Sequence, residues 1–232
     1  MKIGIDPGHG GRDPGAVGPT RLYEKDVVLG ISLELARLLK QAGLEPVLTR
    51  PDDRNVELVT RTALINNMKC DLAVSVHCNS VTRQEANYIS TFIQAQGGEA
   101  EKLARKVQNE LVQAIGWPDG GVRVKNLHMT RETKMPAILC ECGFISNPEQ
   151  ERQLRQPETQ RKIAQAIADG LLAYLGIEKG DDVLEDVKVV VKGKELPGKL
   201  IDGTTYVPLR DIVEALNNEV VWQGPDKPVV VK

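Results

Sequence analysis

The sequence predicts an α/β domain with a mostly parallel sheet covered by helices on both faces, followed by a small α+β module. Short apolar segments alternate with longer segments of helical periodicity along most of the chain. The run at residues 71–79 is apolar over nearly its whole length, as in strands that are buried on both faces of a parallel sheet. After about residue 177, an acidic stretch precedes valine-rich segments of a different kind.

Composition excludes several classes of protein. A chain of 232 residues that is 41% hydrophobic can form a substantial core, and its net charge of −2 creates no field that favours nucleic acid. No run approaches the ~18 apolar residues of a membrane span. The chain enters its first strand at once, so we expect no signal peptide. The cysteines, at 70, 78, 140 and 142, form no CxxC motif and indicate synthesis in a reducing compartment.

The first strand leads into a turn that presents a histidine. Ile3 and Ile5 alternate with small or polar residues, and the Gly/Pro-rich run at residues 7–11 then ends any regular element. His9 lies in this break, just past the carboxyl end of a strand, where α/β sheets bind ligands. A merely solvated histidine in a tight turn remains the alternative.

The remaining elements follow from periodicity and from helix stop signals. Val27, Ile31 and Leu35 keep helical spacing from Glu24 until Gly43 ends the helix. The Gly-rich segment 117–125 is predicted to be irregular, and His128 is predicted to lie in a loop, solvated or on the substrate side. Further helices are predicted at 56–68, 99–115 and 159–175, and further strands at 44–49, 71–79, 88–94 and 136–143.

A carboxylate interrupts the apolar strand at 136–143. Glu141 lies between two cysteines there, and a buried, unpaired carboxylate is unfavourable. A metal, a cation or a catalytic role would explain it. An ion pair with an arginine such as Arg131 is the structural alternative.

Two of the three histidines could share a metal site. His9 and His77 both follow strand ends, and Glu24 begins a helix. Two imidazoles and one carboxylate form a known catalytic zinc ligand set that leaves a position open for water. Their spacing matches no local signature such as HExxH. Glu24 could instead be a first-turn carboxylate that suits the helix dipole.

The cysteines offer a rival site. Cys78, Cys140 and Cys142 could form a structural zinc site with His77. Strand alternation argues against it, because Cys140 and Cys142 point away from Glu141 and Cys78 points away from His77. We therefore interpret the cysteines as small buried hydrophobes.

Five segments stand out along the chain: IDPGHGG at 5–11, DPGA at 13–16, EKDV at 24–27, SVHCN at 75–79 and MPAILCECGFISN at 135–147. Together they resemble the zinc-dependent N-acetylmuramoyl-L-alanine amidases of bacterial cell-wall lysis. The resemblance covers about residues 1–176 and implies that His9, Glu24 and His77 bind Zn²⁺ and that Glu141 is the catalytic glutamate. It also implies a single α/β domain with a roughly six-stranded, mostly parallel sheet.

The resemblance implies hydrolysis of the amide bond between the lactyl group of N-acetylmuramic acid and L-alanine of the stem peptide. Asn79 and Arg131 are candidates for holding substrate, or plain surface groups. The expected partner is bacterial peptidoglycan, with no nucleic acid and no membrane span. We expect an autolysin or phage-type lysin made in the cytoplasm and acting on the cell wall. A zinc peptidase within the stem peptide and a non-catalytic wall-binding protein are the alternatives.

The tail has a resemblance of its own. Segments LIDGTTYVPLR at 200–210, EAL at 214–216 and VVW at 220–222 resemble the small repeat named after the N-terminal domain of copper amine oxidases. No copper is implied, since the tail contains neither His nor Cys. We expect a catalytic domain at 1–176, a linker at 177–186, and at 187–232 a module for wall binding or self-association. An appendage that only stabilises the catalytic domain is the alternative.

Overall fold

The computed structural model describes residues 1–82, 85–177, 185–201, 204–217, 220–221 and 230–231. The chain divides into two compact units, Met1–Lys179 and Gly180–Lys232. None of the helices in these described ranges is long and apolar enough to cross a membrane.

The first unit alternates strands and helices along the chain. Its strands are β1 (Lys2–Pro7), β2 (Glu45–Leu48), β3 (Leu72–Asn79), β4 (Ile89–Ile93), β5 (Asp119–Val124) and β6 (Ala137–Phe144). Its helices are α1 (Glu24–Gln41), α2 (Leu58–Asn67), α3 (Glu99–Ile115), α4 (His128–Glu132), α5 (Pro148–Leu154) and α6 (Pro157–Leu175).

The strands form one six-stranded sheet in the order β2-β1-β3-β6-β4-β5. Strands β2, β1, β3 and β6 are parallel, β4 is antiparallel to β6, and β5 is parallel to β4. The predicted fold class is therefore confirmed. Because β1, β3 and β6 are adjacent and parallel, their carboxyl ends meet at one edge of the sheet.

Helices cover both faces of this sheet. On one face Ile5, Val76 and Cys140 pack with residues of α1, α3 and α6 in the main apolar core. Helices α3 and α6 approach so closely that a Cβ at Gly170 would lie 2.5 Å from Val107 Cα. On the other face a smaller cluster joins Ile65 of α2 to Met129 of α4.

Two local predictions were wrong. Segment 117–125 is not irregular throughout, because its backbone pairs with β4 to form the edge strand β5. Its register shifts beside Ile89, and Gly121 has a φ of 77°. This irregular pairing leaves no clear alternation in the sequence. His128 does not lie in a loop: it begins the short helix α4.

The second unit contains a three-stranded antiparallel sheet of β7 (Glu185–Val191), β8 (Lys194–Ile201) and β9 (Thr204–Tyr206). Helix α7 (Leu209–Ala215) and the strand pair β10 (Val220–Val221) and β11 (Val230–Val231) follow. The linker was predicted to extend to Asp186, but Glu185 and Asp186 already pair with β8. Positions 178–184 of that linker lie outside the described residues.

Candidate active site

The turn after β1 brings His9 against the end of β3. Gly8 N donates to Val76 O at 3.0 Å, and a Cβ at Gly8 would lie 2.3 Å from His77 Cε1. Only glycine fits this approach. His9 has a φ of 59° and is followed by Gly10 and Gly11, also at positive φ. A non-glycine residue in this region is strained, and such strain often accompanies functional sites.

Glu24 begins α1 and is almost fully buried. Its Oε1 accepts from Cys78 N and lies 2.9 Å from His77 Nδ1. Its Oε2 accepts from Ala16 N and lies 3.2 Å from His9 Nε2. The carboxylate therefore lies between the two histidine rings. Its contacts go beyond the helix-dipole interaction that was the alternative explanation for Glu24.

These three side chains form a compact group of possible metal ligands. One donor atom each from His9, Glu24 and His77 lies within 4.8 Å of the others. The two imidazole rings meet edge to face, with centroids 5.0 Å apart. Within the described part of the chain no other such group occurs. The rival cysteines Cys78, Cys140 and Cys142 belong to the apolar core instead.

The electrostatics of this group favour positive charge. Burial alone would lower the pKa of His9, but Glu24 and Asp13 outweigh it and raise the pKa to about 9. Glu24 likewise raises the pKa of His77 against the effect of burial. The two histidines hold the pKa of Glu24 far below its usual range although burial opposes this. A divalent cation could take the place of the protons that these groups share.

Glu141 lies beside this group in β6. It is in register with His77 on β3 and with Ser90 on β4. Among the described residues its buried Oε2 atom has no hydrogen-bond partner. Burial raises the pKa of Glu141 to about 7, with His77 opposing the shift and Glu24 adding to it. A carboxyl group that has an oxygen atom without a hydrogen-bond partner and a pKa near neutral pH suits general acid–base chemistry.

The other predicted site residues have different surroundings. Asn79 ends β3 two positions beyond His77, and its Oδ1 accepts from Ser80 N at 2.8 Å. Arg131 in α4 does not pair with Glu141: it donates to Glu132 Oε1 and Asn126 Oδ1, both at 2.6 Å. His128 Nε2 lies 3.4 Å from Thr62 Oγ1.

A cavity lies between segments that adjoin the site residues. It has a volume of about 300 Å³. Its lining includes the loop that follows Ala16 and the loop that follows Asn79. The lining residues are Val17, Pro19, Ser80, Val81, Thr82 and Ser146.

Sequence reasoning missed several residues that contact or underlie the candidate metal ligands. Asp13 Oδ2 lies 2.9 Å from His9 Nδ1, and Arg50 and Arg61 are buried beneath the His9 turn. A signal existed for Arg61, which precedes the core residue Ile65 by one helical turn and so had to face inward. Asp13 lies in the DPGA segment of the family resemblance, which gave it no role, and Arg50 stands in a loop segment without periodicity.

Comparisons with known proteins identify the family of this chain. Residues 3–173 match the family described as N-acetylmuramoyl-L-alanine amidase. The chain is 32% identical over 194 residues to the germination-specific N-acetylmuramoyl-L-alanine amidase of Bacillus subtilis, covering 77% of this chain and 81% of that protein.

Solved structures agree with the sequence match. The catalytic domain of the amidase CwlV from Bacillus (Paenibacillus) polymyxa var. colistinus is 39% identical with a TM-score of 0.74, covering 77% of this chain and 99% of that one. An amidase from Clostridium difficile 630 is 37% identical with a TM-score of 0.73, over 76% of this chain and 97% of that one. The chain therefore belongs to the N-acetylmuramoyl-L-alanine amidase family and is a hydrolase of carbon–nitrogen bonds.

Proposed function

We propose that the amidase reaction of this chain depends on Zn²⁺ held by His9, Glu24 and His77, with Glu141 as the catalytic carboxyl group. The bond cleaved joins the lactyl group of N-acetylmuramic acid to L-alanine of the peptidoglycan stem peptide. The observation that carries the proposal is the convergence of the three donor side chains within 4.8 Å. Two imidazoles and a carboxylate suit zinc and leave room for a further ligand.

Bound zinc would supply Lewis acidity, which lowers the pKa of water and polarises a carbonyl group. Glu24 would bring the negative charge to the ligand set, since its carboxylate is strongly favoured in the ionised form. His9 and His77 would bind as neutral imidazoles and give up the protons that Glu24 stabilises in the metal-free protein.

Glu141 would move the protons of the reaction. Its carboxylate accepts a proton from the attacking water, and the resulting carboxyl group donates it to the leaving amine of L-alanine. A pKa of about 7 supports both steps, because loss and gain of the proton are then both accessible near neutral pH. Burial maintains this pKa by disfavouring the charged form.

Substrate contacts by Asn79 and Arg131 are part of the proposal. Asn79 lies beyond His77 on the same strand, where the substrate amide would have to lie. Arg131 would release Glu132 and bind a substrate carboxylate in its place. The present pair is exposed to solvent, so breaking it would cost little free energy.

The test is a digestion of purified bacterial sacculi, with mass spectrometry of the released ends. Zinc-loaded wild type should produce free L-alanine amino termini and peptide-free glycan, and Glu141→Gln should lower the rate by about 10²- to 10⁴-fold. Glu158→Gln is the matched control, because Glu158 is an exposed carboxylate paired with Lys162 on α6. A chelator should abolish cleavage, and added zinc should restore it.

Other outcomes would contradict the proposal in distinguishable ways. New amino termini within the stem peptide would indicate a peptidase. Binding of sacculi without cleavage would indicate a wall-binding protein. Undiminished cleavage by Glu141→Gln would remove the catalytic role of that residue, and undiminished cleavage after metal removal would remove the role of zinc.

We also propose that residues 187–232 form a separate module of the copper-amine-oxidase N-terminal type that mediates wall binding or self-association. The composition change near residue 177 and the resemblance of segments 200–210 and 214–216 support this division. Sacculus co-sedimentation and light scattering of the full chain and of a chain ending at residue 177 would test it. If both chains bind sacculi equally and form particles with the same number of chains, both roles are contradicted.

A further inference from the structure

Two guanidinium groups lie buried beneath the turn that carries His9. The exposed fractions of Arg50 and Arg61 are 0% and 3%. Arginine is almost never buried to this extent without partners that neutralise or saturate it. The partners here are unusual, because most of them are backbone carbonyl oxygens.

Arg50 connects the two segments that carry metal-ligand candidates. Its Nη2 atom donates to Gly8 O at 2.7 Å and to Lys25 O at 2.9 Å. Gly8 immediately precedes His9, and Lys25 immediately follows Glu24. The same group donates through Nε to Pro7 O at 3.0 Å and through Nη1 to Asp52 O at 3.0 Å. One planar guanidinium group thus joins the end of β1, the start of α1 and the loop after β2.

Arg61 supports only the first of these segments. It donates to Pro7 O at 2.6 Å and to His9 O at 2.5 Å, and it forms an ion pair with Asp6 at 2.9 Å. Its Nε atom donates to Val56 O at 2.7 Å. None of these bonds reaches α1, so Arg61 provides an internal comparison for the bridging role of Arg50.

The backbone of the turn explains why such donors are needed. His9, Gly10 and Gly11 all have positive φ, so the pairing of β1 does not continue through them, and Gly10 instead pairs locally with Asp13. The carbonyl groups of residues 7–9 turn inward and would be unsatisfied without a donor. Guanidinium groups supply several N–H donors in a fixed plane, which a lysine ammonium group cannot do.

We propose that Arg50 is a positioning residue that sets the separation of His9 and Glu24 before the metal binds. The inference rests on the proposed zinc site. By holding Gly8 and Lys25 through a single nitrogen atom, Arg50 fixes the two ligand-bearing segments against each other. The entropy lost in ordering the ligands is then lost during folding, so it does not reduce the free energy of metal binding.

The experiment compares zinc affinities of Arg50→Lys and Arg50→Met with wild type, by competition with a chromophoric chelator. Orienting groups behind metal ligands contribute about 10- to 100-fold to affinity, and we expect a loss of this size in both variants. Arg61→Lys should lose less, because the link to α1 persists. The d–d absorption of Co²⁺-loaded protein should weaken and change shape in the Arg50 variants, since that signal reports ligand geometry directly.

A core variant controls for general destabilisation. Leu171→Ala creates a cavity in α6 against the main core, where Leu171 is fully buried, and leaves every metal-ligand contact in place. It should lose stability while it keeps wild-type zinc affinity and the wild-type cobalt spectrum. Because Arg50→Lys retains charge and most of the volume, it decides the question even where Arg50→Met does not fold.

Two results would overturn the inference, and they are distinguishable. If wild type binds zinc and Arg50→Lys binds it within about twofold of wild type, with the same cobalt spectrum, Arg50 does not position the ligands. If wild type itself binds no zinc, the proposed metal site fails, and the role of Arg50 fails with it.

Discussion

The two faces of β3 carry opposite chemistry, although they belong to the same eight residues. Val74, Val76 and Cys78 pack with apolar residues of the helices α1, α3 and α6 in the main core. Ser75 and His77 face the other way, toward a network of charged and hydrogen-bonded groups.

The polar face is stabilised by specific partners, whereas packing stabilises the apolar face. Asp6 on β1 accepts from Ser75 Oγ at 2.7 Å and from Thr49 Oγ1 at 2.6 Å, and pairs with Arg61. Burial would raise the pKa of Asp6, but Arg61 and the two hydroxyl groups outweigh it and hold the pKa below its usual value. Toward the carboxyl end this network gives way to His77, which contacts Glu24, and to Glu141, whose Oε2 atom has no hydrogen-bond partner among the described residues.

The difference shows how one sheet provides both stability and reactivity. The apolar face holds the strands rigid, and the strands in turn hold the strained His9 turn and the uncommitted Glu141 in place. We therefore expect substitutions on the apolar face to change stability and substitutions on the polar face to change chemistry or its pH dependence.

The largest effect on stability is expected in the core that packs against the apolar face, where Leu171 of α6 is fully buried. Leu171→Ala should lower the free energy of unfolding by about 2–5 kcal/mol, because it removes buried methyl groups and leaves a cavity. Activity measured well below the unfolding temperature should stay at the wild-type level. Chemical denaturation and a sacculus assay on the same preparation would check this. A loss of activity in a folded sample would mean that packing on the apolar face also controls the chemistry of the polar face.

A smaller effect with a pH signature is expected for Glu141. The pKa of its folded-state carboxyl group is about 7, above the ordinary 4.5, so the folded state binds the proton more tightly than the unfolded state. This stabilisation is complete below the ordinary pKa and is lost as the pH rises through 7. Metal-free wild type should therefore lose about 2 kcal/mol between pH 5 and pH 8 relative to Glu141→Gln, which carries no titrating group there.

Denaturant unfolding with a chelator present, at several pH values, would measure this difference. The matched control Glu158→Gln should follow wild type across the range, since Glu158 is exposed and pairs with Lys162. A difference between wild type and Glu141→Gln that does not change with pH would contradict the raised pKa.

The smallest effect is expected for the exposed ion pair on α6. Glu158 Oε1 lies 2.9 Å from Lys162 Nζ, but both side chains are largely solvated. Exposed pairs of this kind contribute little because water screens them. The unfolding midpoint of Glu158→Gln should coincide with that of wild type, and a shift comparable to that of Leu171→Ala would contradict this ranking.

The sequence by itself determined the elements whose residues repeat with a local period. The helices that begin at Glu24 and Glu99, the strands β1, β3 and β6, and the two faces of β3 all follow from such repeats. Residue chemistry, together with a family resemblance, also singled out His9, Glu24, His77 and Glu141. The structure brings these residues together, and their roles with zinc stay predictions for the experiments above.

Only the tertiary structure decided the features that depend on distant partners. Strand β5 forms because β4 offers a pairing edge, and β4 is antiparallel to β6 through contacts far apart in the chain. The partners of Arg50 lie 25 to 43 positions away along the chain, apart from Asp52. Local periodicity reports which face of an element is apolar, but it cannot report which buried charge meets which carbonyl oxygen. The support beneath the site was therefore visible only in the folded chain.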